Sequence, residues 1–166
     1  MSDLQFRMDD KFFEADLLIK ENRIGEALRL LNEIITEMPD YGRAHNHIGW
    51  IYETKYSDYS RAEKHYKAAL EFNPEYVAIY YNFAILLSTL NKYDELEALL
   101  QKALQVPGIN KATIYNEYGI MQEAQGKYHE AMESYRNYIR FLYDNKLIEV
   151  AKASLARCQS KIELSL

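Results

Sequence analysis

Apolar and small positions along this chain recur at the spacing of one helix face. Between 42 and 56, His45, Ile48, Gly49 and Tyr52 follow one another at steps of 3, 1 and 3 residues, which puts them on one side of a helix. A polar turn is expected at Tyr56-Ser57-Asp58. Ala62, Tyr66, Ala69 and Leu70 then mark a second helical face, and Asn73-Pro74 ends it, with Pro74 placed to open the next helix. The block reads as helix, turn, helix.

The block returns twice. Phe83-Ala84 leads to Leu96 and Gly108 across a turn at Asn91-Lys92, and Tyr118-Gly119 leads to Ala131 and Tyr143 across Gln125-Gly126-Lys127, a period of 35 residues. Self-similarity at this spacing predicts stacked helical hairpins, none able to bury its apolar face without neighbours. Gly49, Ala84 and Gly119 are the small residues that let the two helices of a hairpin approach closely. A weaker unit carrying Ala15, Leu18, Ala27, Leu31, Ile34 and Pro39 precedes these, as an end repeat with one unpacked side should be. Ile148, Ala151, Leu155, Cys158 and Ile162 describe one face of a closing helix. The expectation is a single all-α domain over 1–166, with repeats at about 8–41, 42–76, 77–111 and 112–145 and a cap helix at 146–163.

Ile48-Gly49-x-x-Tyr52, Ala62, Tyr66, Ala69 and Pro74 resemble the tetratricopeptide repeat (TPR) signature, although His45 replaces its usual leading aromatic. The last full unit fits at Tyr115, Tyr118-Gly119, Ala131 and Tyr135, and the third departs with Leu96 where Ala is usual. The resemblance implies an α-α superhelix, a right-handed solenoid of about four hairpins and a C-terminal cap. It also implies a concave groove, lined by the first helix of each hairpin, that takes a partner peptide. A helical wheel places Arg43, Asn46 and Trp50, then Tyr81 and Ile85, then Asn116 and Ile120 on that side, and these seven are the candidate partner-binding residues. Trp50 and Tyr81 read as aromatic anchors, with Arg43, Asn46 and Asn116 orienting the ligand. Ile85 and Ile120 fit either the groove or packing between repeats. One subset of the family grips a terminal carboxylate with lysine, arginine and asparagine. The corresponding slots here hold Phe12 and Asp16, then His47, then Ala78 and Asn82, which supply no cationic pair.

The composition, 48% hydrophobic and 27% charged with 6 Gly and 3 Pro, suits helices joined by short turns without a flexible linker. The formal charge of −5 lies entirely in residues 1–41, which carry 5 basic and 10 acidic side chains. Without a Lys/Arg cluster the chain is not expected to bind nucleic acid or an anionic membrane. The longest uncharged run, 76–91, falls short of the roughly 20 apolar residues of a membrane span. No signal peptide is read at the N-terminus, and a lone cysteine, Cys158, fits a reducing compartment, so the expected location is cytoplasmic. His45, His47, His65 and His129 contain no pair at i, i+4, and no phosphate loop, nucleophile elbow or calcium loop occurs. No enzyme, metal or cofactor is expected. The partner class is another protein or peptide, with self-association into a homo-oligomer as the alternative.

Overall fold

The computed structural model describes residues 3–164, and every described element is helical. In chain order these are α1 (Asp3–Lys20), α2 (Ile24–Glu37), α3 (Gly42–Tyr56), α4 (Tyr59–Phe72), α5 (Val77–Thr89), α6 (Tyr93–Ala103), α7 (Lys111–Ala124), α8 (Tyr128–Arg140) and α9 (Asn145–Leu164). The fold is all-α, paired helices followed by a final one. α1 starts five residues ahead of the expected first repeat, because its opening turn has no counterpart in the period. α9 extends one residue beyond the expected cap at each end.

The turns repeat as faithfully as the helices. Within each helix pair the chain reverses at a residue in the left-handed conformation, at Asn22 (φ 60°), Ser57 (51°), Asn91 (54°) and Gly126 (73°). The following N–H bonds back to the end of the helix, as in Arg23 to the Leu18 carbonyl (2.8 Å) and Lys127 to that of Gln122 (2.9 Å). This closure satisfies carbonyls that a helix end leaves open. Between pairs the three prolines do a second job. Pro39, Pro74 and Pro107 each stand second in a four-residue turn closed by Tyr41 N–H to Met38 (3.1 Å), Tyr76 to Asn73 (3.0 Å) and Ile109 to Val106 (3.2 Å). Their fixed φ suits that position. Pro74 therefore belongs to the turn and not, as expected from sequence, to the first residue of α5, which begins at Val77.

The contacts divide the chain into two compact units, one running to Leu86 and one from Leu87. In the first, α1 packs on α2, α2 on α3 and α3 on α4. Its core gathers Met8, Phe12, Ala15 and Leu18 from α1, Ala27, Leu30, Leu31 and Ile34 from α2, and Ala44, Ile48 and Ile51 from α3. The α3–α4 contact is close because Gly49 has no side chain: a Cβ there would stand 2.8 Å from the Tyr66 ring. In the second unit α7 packs on α8 and α8 on α9. A Cβ on Gly119 would stand 2.5 Å from the Tyr135 ring, so the same small-against-aromatic joint recurs. Ala151 and Cys158 bury one face of α9. Its polar side is tied down by Glu123, which accepts from Arg157 Nε and Nη2 (2.7 Å each) and Lys161 Nζ (2.9 Å).

Candidate functional site

Three helices of the first unit wall a cavity of about 250 Å³. α1 contributes Asp16 and Ile19, α3 contributes Asn46, His47 and Trp50, and α5 contributes Ala78 and Asn82, with Tyr76 just ahead of it. The pairs Asn46/Trp50 and Ala78/Asn82 are four residues apart, so each pair points the same way from its helix. Trp50 also packs against the core of the unit, and Lys55 Nζ lies 5.4 Å from its ring centroid.

The polar groups of this wall have definite partners. Asn46, only 2% exposed, accepts at Oδ1 from Asn82 Nδ2 (3.1 Å). That bond leaves the Asn46 amide N–H and the Asn82 carbonyl oxygen for another molecule. His47 Nδ1 lies 3.1 Å from the Arg43 carbonyl, which can only accept, so Nδ1 carries the proton. Burial pushes the His47 pKa below its usual value, and the neutral ring turns a lone pair at Nε2 toward Asp16 Oδ1, 3.6 Å away. The Asp16 carboxyl is held below the ordinary aspartate range, first by its bond to Lys20 Nζ (2.7 Å).

The seven residues expected from sequence divide. Asn46 and Trp50 line the cavity together. Arg43 lies one turn earlier on α3, where Asp9 and the Tyr41 hydroxyl hold its guanidinium, 4.8 Å above the Phe12 ring. Tyr81 is half-buried on α5, and Ile85 is 54% exposed. In the second unit Asn116 is half-buried on α7 and Ile120 is 42% exposed. Neither isoleucine is packed away in a core. Asp16, His47 and Asn82 are absent from the expected set, although all three occupy slots compared with the carboxylate-gripping pattern.

Elsewhere in the first unit, His45 and His65 face each other across α3 and α4 with Nδ1 atoms 3.0 Å apart. His45 Nε2 meets the Pro39 carbonyl (2.9 Å), so its proton sits there and His65 donates to His45. Among the described residues no group of three or more His, Cys, Asp or Glu could hold a metal ion. No described helix is long and apolar enough to cross a membrane.

Two family models, both described as tetratricopeptide repeat, match residues 14–77 and 65–98. Over 89 residues the chain is 26% identical to Protein O-mannosyl-transferase F38B6.6 of Caenorhabditis elegans, a match spanning 54% of this chain and 13% of that protein. The fold is similar to that of Pseudomonas aeruginosa pilF, with a TM-score of 0.82 at 16% identity over 98% of this chain and 72% of that one. It is also similar to YrrB, described as a TPR protein with an unusual peptide-binding site (0.77, 16% identity, 98% and 84% covered). TTC0263, a thermophilic TPR protein of Thermus thermophilus, aligns with a TM-score of 0.69 at 18% identity, over 90% and 81% of the two chains. The repeating left-handed turns, the glycine-on-tyrosine joints and these matches agree: the chain belongs to the tetratricopeptide repeat family.

Proposed function

We propose that the chain is a non-catalytic protein-interaction module whose first unit holds a segment of a partner polypeptide against α1, α3 and α5. The observation that carries this reading is the cavity wall itself, where the Trp50 ring stands beside an asparagine pair offering one amide donor and one acceptor. An extended peptide presents the complementary pair, a carbonyl and an N–H, and an aromatic supplies contact area at small entropic cost. YrrB, of similar fold, is described as having a peptide-binding site, which supports the same use here. Tyr81 and Ile85 extend the proposed surface along α5. Asn116 and Ile120, at the corresponding places on α7, are the proposed contacts of the second unit. The proposed setting is cytoplasmic, in keeping with Cys158 as a buried free thiol.

The test is affinity capture with the wild-type chain against Trp50→Ala and Asn82→Ala variants that keep the wild-type circular dichroism. Proteins retained by the first and lost from both variants are groove ligands; identical capture by all three would end this reading. A second reading, self-association through an end face, is favoured by one observation. Phe6, Phe13 and Leu17 lie on one side of α1 and are 61%, 58% and 58% exposed. Light-scattering mass across a dilution series decides it, a constant monomer mass removing the homo-oligomer.

A further inference from the structure

We infer that the cavity between α1, α3 and α5 is selective for a basic side chain, so that the partner segment carries an arginine or lysine seated between Asp16 and His47. This deepens the peptide-binding proposal and rests on it. In the carboxylate-gripping pattern Asp16 and His47 fall at the two asparagine slots, and the slots of its cations hold Phe12, Ala78 and Asn82: an anion and hydrogen-bond acceptors stand here without a cation in any of the five.

Asp16 and His47 are mismatched in their hydrogen-bonding roles. His47 uses its Nδ1 proton on the Arg43 carbonyl and burial favours the neutral ring, in which Nε2 is an acceptor; it faces Asp16 Oδ1, also an acceptor, at 3.6 Å. Two acceptors at that separation are stabilised only by a donor that reaches both. A guanidinium has five N–H donors and no acceptor, and an ammonium has three donors. The group that supplies a donor to Asp16 at present is Lys20, four residues on along α1, with a side chain 68% exposed. Such a surface pair is weak, and Lys20 can swing out to admit an incoming cation.

The rest of the wall fits the remainder of a long basic side chain. Ile19 and Ala78 offer apolar contact to its methylene stem, and the Trp50 indole offers a face to its charge. Trp50 already has a lysine, Lys55, 5.4 Å from its centroid. Asn46 and Asn82 remain for the peptide backbone on either side of the anchor. Among the described residues of the wall Asp16 is the one that carries charge, and the first 41 residues of the chain hold twice as many acidic as basic groups. An acidic partner would meet the Asp16 carboxylate, offset only in part by its exposed ion-pair partner Lys20 at 2.7 Å.

The test is selection of random dodecapeptides displayed on phage against the wild-type chain and against Asp16→Asn and Lys20→Ala. Wild type should enrich arginine or lysine at one register, Asp16→Asn should lose that enrichment, and Lys20→Ala should keep it. For one selected peptide, affinity is then read from the emission of Trp50, the single tryptophan. Changing the peptide's basic residue to glutamine should weaken binding to wild type about tenfold and to Asp16→Asn hardly at all. Removing the competing cation in Lys20→Ala should tighten binding about two- to threefold, which a merely structural role for Asp16 would not produce. Peptides enriched without a basic residue, yet lost on Trp50→Ala, would overturn the basic anchor and leave the groove reading standing. If no peptide were enriched at all, both would fall.

Discussion

Adding one methyl group at each of three helical glycines should give effects of opposite sign. In a helix interior, alanine is favoured over glycine by ~1 kcal/mol, so Gly→Ala ordinarily stabilises. At Gly25 in α2 an added Cβ meets nothing within 4 Å, and Gly25→Ala should gain a few tenths of a kcal/mol at this first-turn position. At Gly119 the same atom stands 2.5 Å from Tyr135 Cε1 and 2.6 Å from Cδ1. The ring cannot turn aside, since Tyr135 is 1% exposed and its hydroxyl is bonded to Glu123 Oε2 (3.0 Å). Restoring contact distance means parting α7 from α8 by about an ångström, an overpacking cost of ~1–3 kcal/mol. After the propensity gain, Gly119→Ala should lose ~1–2 kcal/mol. Gly49→Ala, 2.8 Å from a fully buried Tyr66 ring, should lose somewhat less. Urea unfolding followed by circular dichroism measures all three, with unchanged m-values confirming that native stability moved. A Gly119→Ala protein as stable as wild type would refute the close-contact account of the hairpin joint.

Ser57→Gly should stabilise by about 1 kcal/mol, because serine bears the steric cost of the left-handed conformation that Gly126 avoids at the equivalent turn; thermal unfolding measures it. Burial pushes the His65 pKa down from 6.5 to about 4, with the neighbouring His45 acting the same way, and lowers His45 itself. The unfolded chain therefore takes up protons first, and stability should fall as pH drops from 6.5 toward 4, by about 1 kcal/mol at pH 4.5 once the partial solvation of His65 is discounted. His65→Leu should flatten that part of a melting-temperature profile; an unchanged slope would count against the pair. The Glu123 carboxyl is held down to about 2 by its bonds to Arg157, then to Lys161 and Tyr135. Its contribution is complete above pH 4.5 and is lost as pH falls toward 2. With both cations partly solvated, Glu123→Gln should cost ~1–3 kcal/mol and speed hydrogen exchange along α9.

The repeat architecture was legible because periodic contacts leave periodic residues. Gly49 and Gly119 face Tyr66 and Tyr135 in the same way, so the 35-residue period carries the joint directly. The left-handed turn residues follow the same rhythm without sharing one residue type, since Asn, Ser and Gly all reach that conformation. The candidate site was half legible. A helical wheel gives the direction of a side chain but not what lies opposite. It assigns Arg43 to the ligand, whereas Asp9, 34 residues away on another helix, claims that guanidinium. It gives Asn46 as a surface amide, and the bond from Asn82 buries it in the wall. It leaves Ile85 and Ile120 undecided because exposure depends on how far apart neighbouring helices stand, and both prove substantially exposed. Asp16, His47 and Asn82 are visible as slots, but a comparison that asks for cations passes over what an anion and acceptors can do there.

Two copies of one device show how sequence outside the repeat changes its chemistry. Glu53 and Glu123 each lie four residues after the small glycine of their helix, and each accepts a hydrogen bond from the buried tyrosine opposite, at 2.6 and 3.0 Å. Burial raises the Glu53 pKa. Glu123 moves the other way because Arg157 and Lys161, four residues apart on α9, both reach its carboxylate. The repeat therefore supplies a half-buried carboxyl, and the final helix supplies the charge that ionises it. Removing both cations should return Glu123 to the upward shift seen at Glu53, since the tyrosine bond and the burial would remain. On this account α9 is held by more than its apolar face: Ala151 and Cys158 provide burial with no particular register, and the doubly bridged Glu123 fixes where along α7 and α8 the helix comes to rest.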